Sequence, residues 1–185
     1  MPPIPANQIE TRTSDGHIAG SAVIHVGFLG TRRTAIVSAD TRGMAFSHLA
    51  TRGTGSLGRT IKSTRILGRY PQTAAEEMRK RKPSSVLAFS PLPLGNVEQP
   101  SDSLGLVAML TPYLLVIVST TPVARTQHKS PRPKEVPAHS AMTGALAWFP
   151  AIRLKGKDSQ TSNTKLVYCW SNVLTVLEVT ESETD

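Results

Sequence analysis

Three short segments of this sequence share one pattern at nearly even spacing. Each is an apolar run that closes on an aromatic residue and a turn: Val26-Gly27-Phe28-Leu29-Gly30, Leu87-Ala88-Phe89-Ser90-Pro91 and Leu146-Ala147-Trp148-Phe149-Pro150. From Phe28 to Phe89 is 61 positions, and from Phe89 to Trp148 is 59. Each segment is followed by a loop and then by two apolar runs joined by a tight turn. These pairs are TAIVSAD-TRG-MAFSHL, GLVAMLT-P-YLLVIVS and TKLVYCW-SN-VLTVLEV. A unit of strand, loop and hairpin therefore occurs three times. Such a unit forms a small antiparallel sheet that is apolar on both faces and cannot bury them alone. Stacking successive sheets around an axis buries both faces, which is the logic of a β-propeller. A generic β-sandwich accounts for the strands but not for the period.

The rest of the chain fits an all-β reading. Strands are expected over 22–28, 34–39, 43–49, 60–67, 85–90, 105–111, 113–119, 144–149, 164–170 and 173–179, because these runs are rich in Val, Ile, Leu, Thr and Phe and are bounded by turn residues. The 14 prolines and 13 glycines make long uninterrupted helices unfavourable. The best helical stretch, Thr73 to Lys82, has a thin apolar face and reads as a short exposed helix or a loop. The most apolar stretch, Leu104 to Val118, is about 15 residues, too short for a bilayer at about 1.5 Å per residue. Pro112 inside it presets a turn, so a buried hairpin fits better. Residues 69–83, 91–103, 120–142 and 153–163 are polar and read as long disordered loops. The third of these carries four prolines and too little apolar surface to order itself. The expected organisation is a loose leader over 1–16, a partial propeller over 17–180 with blades at about 17–68, 84–125 and 143–180, and a tail at 181–185.

The first unit carries a polar constellation. Gly16-His17 precedes its first strand, Ser38 and Asp40 end its second, and Gly43 opens the third. In WD-type blades, a His before the first strand, a Ser on the second and an Asp in the following turn form a buried hydrogen-bond chain that stiffens the turn. His17, Ser38 and Asp40 are the candidates here for that structural network. The Trp that completes the pattern on the third strand is missing, and Phe46 or His48 stands near its place.

No catalytic arrangement competes with this reading. A Ser/His/Asp triad from the same residues would need an exposed, strained serine and an oxyanion hole. His17 and His25 are eight positions apart, and His128 and His139 eleven, neither a metal-ligand spacing. His128 and His139 read as solvated loop residues, and His25 as a partly buried strand residue. Gly53-Thr54-Gly55-Ser56-Leu57-Gly58 has the spacing of a dinucleotide loop, but the segment after it reads as a strand rather than a helix. The single cysteine, Cys169, excludes a disulfide framework and paired-cysteine zinc modules, and its apolar strand makes it unreactive. No enzyme activity, cofactor or metal is expected. No basic-plus-apolar signal opens the chain, which points to a cytoplasmic setting.

The net charge of +8 is one-sided. Residues 1–82 hold 13 Lys and Arg against 5 Asp and Glu, and residues 83–185 hold 8 against 8. Arg32, Arg33, Arg79, Lys80, Arg81 and Lys82 form a candidate basic contact surface. As an alternative function, it suits a basic adaptor on anionic membrane or nucleic acid. With aromatics at 5%, stacking platforms for single strands are scarce, so nucleic acid is not the expected partner.

Over 82–119 and 164–179, with the upstream segments VGFLGTRRTAIVSADTRGMAFSHLATRG and TRILGRYP, the sequence closely resembles the N-terminal region of the fungal vacuolar protein sorting-associated protein 8 family. Members of that family are subunits of the CORVET tethering complex of endosomes. The resemblance covers roughly residues 17–180. It implies a WD-type propeller, of which about three blades of a likely seven are present. It also implies a non-enzymatic scaffold in Rab-dependent vesicle fusion and endosome-to-vacuole protein transport. The implied partners are an early-endosomal Rab GTPase and other tethering-complex subunits, with peripheral association at the cytosolic face of endosomal or vacuolar membranes. The family's α-solenoid and C-terminal zinc module have no counterpart here, so the chain reads as an internal piece of the propeller. Alone, it is expected to be poorly soluble and not to bind a Rab tightly.

Overall fold

A computed structural model describes residues 16–17, 20–29, 32–52, 59–68, 85–155 and 160–180. Among the described residues, eleven strands form three separate antiparallel sheets. The first contains β1 (Val23–Leu29), β2 (Arg32–Asp40), β3 (Ala45–Arg52) and β4 (Arg59–Leu67), side by side in chain order. The second contains β5 (Ala88–Pro91), β6 (Leu106–Leu110), β7 (Leu114–Ser119) and β8 (Arg125–Pro131), again in chain order. The third contains β9 (Gly144–Phe149), β10 (Lys165–Trp170) and β11 (Val173–Glu178). Every expected strand is present. Each aromatic segment of the repeat supplies the first strand of a sheet: β1, β5 and β9.

The three sheets stack face to face in chain order. The second is sandwiched between the other two, and its central strands are buried at every position. Alternation divides those residues between two cores. Val107, Met109, Leu114, Val116 and Val118 pack with Ala35, Val37, Ala39 and Ala45 of the first sheet. Leu106, Ala108, Leu110, Leu115 and Ile117 pack with Trp148, Leu166, Tyr168 and Trp170 of the third. The continuous apolar runs GLVAMLT and YLLVIVS are thus the signature of a strand pair covered on both faces. Sheets stacked successively with their first strands adjacent are consecutive blades of a β-propeller, here a partial one.

Two turns explain how the hairpins close. At the β6–β7 turn, Thr111 N donates to Leu114 O at 2.9 Å, and its hydroxyl oxygen accepts from Tyr113 N and Leu114 N, both at 3.2 Å. Pro112 sits where no donor is needed. At the β10–β11 turn, Ser171 takes the left-handed conformation at φ 50°, as two-residue hairpin loops require.

The structure corrects the expectation of disordered loops at two places. Residues 120–142 are not a disordered loop. Arg125–Pro131 form β8, the outer edge of the second sheet, and Ala138–Ser140 a turn of 3-10 helix. β8 buries almost nothing itself. Its order comes from pairing with the fully buried β7, register Leu115↔Ser130 through Ser119↔Arg125, whose backbone polar groups would otherwise lie unpaired. Val136 and Ala141, buried in the second core, pin the segment that follows. Within 91–103, Pro100–Leu104 is likewise a short 3-10 helix, closed by Gly105 at φ 57°. The helix considered at 73–82 and the Gly-rich string at 53–58 lie outside the described residues.

Candidate functional site

The first sheet turns one face to the second sheet and the other away. On the outward face, the register places Ser38 of β2 opposite Phe46 of β3, and His48 of β3 opposite Ser63 of β4. His17 lies over this row from the segment that leads into β1. Its ring meets Phe46 edge-on, with centroids 4.8 Å apart.

A continuous polar chain crosses the sheet here. His17 Nδ1 is 2.8 Å from Asp40 Oδ2, and His17 Nε2 is 2.8 Å from Ser38 Oγ. Ser38 Oγ is 2.8 Å from His48 Nε2, and His48 Nδ1 is 2.8 Å from Ser63 Oγ. The partners fix the protons when both rings are neutral and Asp40 is ionised. His17 Nδ1–H donates to Asp40, so its Nε2 accepts from the Ser38 hydroxyl. That hydroxyl has one hydrogen, so it accepts from His48 Nε2–H, and His48 Nδ1 then accepts from Ser63.

Asp40 anchors the chain. It is fully buried, yet both carboxylate oxygens are satisfied. Oδ1 accepts from Arg42 N at 2.8 Å and Met44 N at 3.0 Å, and Oδ2 from His17. These bonds close the β2–β3 turn, where Gly43 stands at φ +81°. Burial by itself pushes the carboxyl pKa up, but the hydrogen bonds from His17, Met44 and Arg42 outweigh it, leaving the group below the usual carboxylate range. The His48 pKa is lowered by its burial and by the proximity of His17, which favours the neutral ring that the chain requires.

The structure therefore brings His17, Ser38 and Asp40 into one hydrogen-bonded unit. The distances also match a catalytic triad, but Ser38 is 5% exposed and enclosed between two imidazoles, which leaves a substrate no approach. Of Phe46 and His48, it is His48 that bonds the serine, and Ser63 extends the chain to β4. Ser63 had no signal in the sequence, because only the β3–β4 register places it beside His48. Arg32 and Arg33 open β2, while Arg79, Lys80, Arg81 and Lys82 lie outside the described residues. Among the described residues, no three His, Cys, Asp or Glu side chains gather as metal ligands, and no helix is long and apolar enough to cross a membrane.

A second feature lies at the outer edge between the second and third sheets. Leu104, Leu106, Ile117, His128, Leu177 and Val179 are among the residues lining an open groove of about 590 Å³. His128 is a half-buried residue of β8 facing this groove rather than a solvated loop residue. His139 sits exposed on the 3-10 turn. His25 is half-buried, its Nε2 2.8 Å from Val86 O.

No curated protein and no solved structure matches this chain. A family does. The Vps8 beta-propeller family matches residues 5–185, spanning all three sheets and the polar chain of the first. With three stacked antiparallel sheets in blade order, the chain belongs to the Vps8 beta-propeller family, a propeller of a tethering subunit.

Proposed function

We propose that this chain acts as a non-enzymatic docking platform in Rab-dependent endosomal tethering, within a CORVET-type complex. In that role it serves vesicle fusion and endosome-to-vacuole protein transport from the cytosolic face of endosomal or vacuolar membranes. Its partners are an active early-endosomal Rab GTPase and other tethering subunits. The observation that carries the reading is the family match across residues 5–185. The architecture supports it, because rigid stacked sheets present edges and rims rather than a closed catalytic cleft. The groove between the second and third sheets, with apolar walls and His128 at its margin, is a surface shaped to receive a partner side chain. His17, Ser38 and Asp40 serve as an internal brace of the first blade.

The test is binding of GTP-loaded and GDP-loaded early-endosomal Rab to the 185-residue chain at low and high salt. The expected result is weak retention of the GTP form alone, little changed by salt. Retention that ignores nucleotide state and falls steeply with salt contradicts the reading. It would instead favour an adaptor using Arg32, Arg33, Arg79, Lys80, Arg81 and Lys82 on phosphate-bearing surfaces.

A further inference from the structure

We propose that one rim of the stacked sheets is a contact surface for an anionic lipid bilayer, with aliphatic loop tips entering the bilayer interface among basic strand ends. The topology defines the rim. β1, β5 and β9 point the same way, because Gly27 of β1 lies against Pro91 at the end of β5, and Gly95 just past β5 lies against Ala151 just past β9. Neighbouring strands in each sheet are antiparallel and in chain order. The connections that follow β1, β5 and β9 therefore gather at one rim with those between β3 and β4 and between β7 and β8. This rim is the end of the sheets and not a face, so it stays open whatever packs against the first or the third sheet.

Two chemistries coincide there. The first is positive charge. β2 opens with Arg32 and Arg33, and the β3–β4 register sets Arg52 directly opposite Arg59. Like charges in opposed positions destabilise a sheet, and an anion lying over them removes that cost. Arg125 opens β8, Lys165 opens β10, and Arg153 and Lys155 stand exposed after β9. Among the described residues, the acidic ones at this rim are Glu98, Asp102 and Glu178, and two of them are engaged internally. Asp102 accepts from Gln99 N at 2.9 Å, and Glu178 from the Asn163 amide at 2.6 Å. The opposite rim is closer to balance, with Arg42, Arg65, Arg132 and Lys134 against Asp40 and Glu135.

The second chemistry is aliphatic. Leu94 and Val123 both belong to connections of the middle sheet, yet they are 55% and 69% exposed although that sheet is covered on both faces. Connecting segments are ordinarily polar at such tips. Both tips are held in place. Asn96 Oδ1 accepts from Arg153 N at 3.1 Å, which ties the Leu94 loop to the exposed Ile152 and Leu154. Thr120 N and Thr121 N donate to Leu104 O at 2.9 and 3.1 Å, and the Thr121 hydroxyl donates to Ser103 O at 2.6 Å, which fixes the turn carrying Val123. Aliphatic side chains on fixed, projecting loops, set among cations, match the layering of a bilayer surface, where anionic headgroups lie over an apolar interior. Nucleic acid offers the phosphates but no apolar layer for these tips.

The experiment floats the 185-residue chain on density gradients with vesicles of phosphatidylcholine, alone or mixed with phosphatidylserine, and with no Rab present. Flotation separates vesicle-bound protein from aggregate, which sinks. The native chain is expected to float with the phosphatidylserine vesicles alone, and less as salt rises. The triple variant Arg125→Gln, Arg153→Gln, Lys155→Gln is expected to lower the partition coefficient by on the order of a hundredfold. The pair Leu94→Ser, Val123→Ser is expected to lower it by about tenfold. Lys134→Gln, exposed at the opposite rim, is expected to leave it unchanged. All these positions are exposed, and the fluorescence of the buried Trp148 and Trp170 confirms that each variant is folded. A solvent-sensitive fluorophore on Val123→Cys, in a Cys169→Ser background, is expected to brighten when phosphatidylserine vesicles are added; on Lys134→Cys it is expected not to change. A native chain that ignores phosphatidylserine overturns the proposal, as does a triple variant that floats like the native chain or an equal loss in Lys134→Gln. A Val123 label that stays dark on floated protein also overturns it. Tighter binding to duplex RNA or polyglutamate than to the vesicles, unchanged by Leu94→Ser and Val123→Ser, assigns the rim to another polyanion and overturns it as well. Because no Rab enters the assay, its failure leaves nucleotide-dependent docking standing.

Discussion

Asp40 shows how a single residue ties sequence to fold. Alanine there would leave the Arg42 and Met44 N–H groups and the His17 ring without their acceptor inside a closed turn. The expected cost is about 1–3 kcal/mol, read as a lowered denaturation midpoint; an unchanged midpoint would remove the brace from the account. Acidity acts on the same unit through two groups. Asp40 has a depressed folded pKa, so its stabilisation is present above the unfolded value of 3.8 and is lost as pH falls through the folded pKa. His48 is also depressed, from 6.5. Below that value the unfolded chain takes up a proton that the folded ring resists, so stability declines on acidification from neutral pH before Asp40 titrates. Thermal melts between about pH 7.5 and 5 should show falling stability, and His48→Phe should flatten that slope. A melting temperature independent of pH in the native chain would contradict the assignment of His48 to the chain. His17, Ser38 and Asp40 were legible because two turns and one strand fix their approach. Ser63 was not, because its place depends on a strand pairing that includes a bulge at Ala45/Phe46.

At the scale of elements, apolar runs revealed ten strands and concealed one. β8 reads Arg-Thr-Gln-His-Lys-Ser-Pro and carries no apolar period, because both its faces lie at the edge of a sheet. Its stability is borrowed from the ladder of β7, an interaction that no local pattern in β8 announces. Edge strands of this composition are also poor templates for further pairing, which natural sheets exploit. The converse holds at Gly144. The start of β9 looks like an ordinary strand, yet a Cβ there would meet Leu110 Cδ2 and stand 2.8 Å from Cys169 O. The side chain can turn aside, but the carbonyl belongs to the neighbouring strand. Gly144→Ala is therefore expected to destabilise the chain by about 1–3 kcal/mol despite the better strand propensity of alanine. Chemical denaturation would measure it, and a neutral or stabilising result would show that β9 and β10 approach less closely at Gly144 than described.

For the whole molecule, the 59–61-residue spacing was the informative signal, because it reflects one packing device used repeatedly. Phe89 and Trp148 are the knobs by which the second and third sheets each sit on the one before. The three sheets with their intervening cores follow from that device, while the groove at the outer edge follows from β8 and β11 and had no trace in the sequence. The central claim is that β1, β5 and β9 belong to three stacked sheets. It is tested most directly by nuclear Overhauser contacts in the 185-residue chain. The account predicts side-chain contacts between the Phe89 and His25 rings and between the Trp148 indole N–H and Ser90, with backbone ladder contacts confined to pairs such as β1–β2, β5–β6 and β9–β10. Backbone ladder contacts joining β1 to β5, or β5 to β9, would place these strands in one continuous sheet and contradict it.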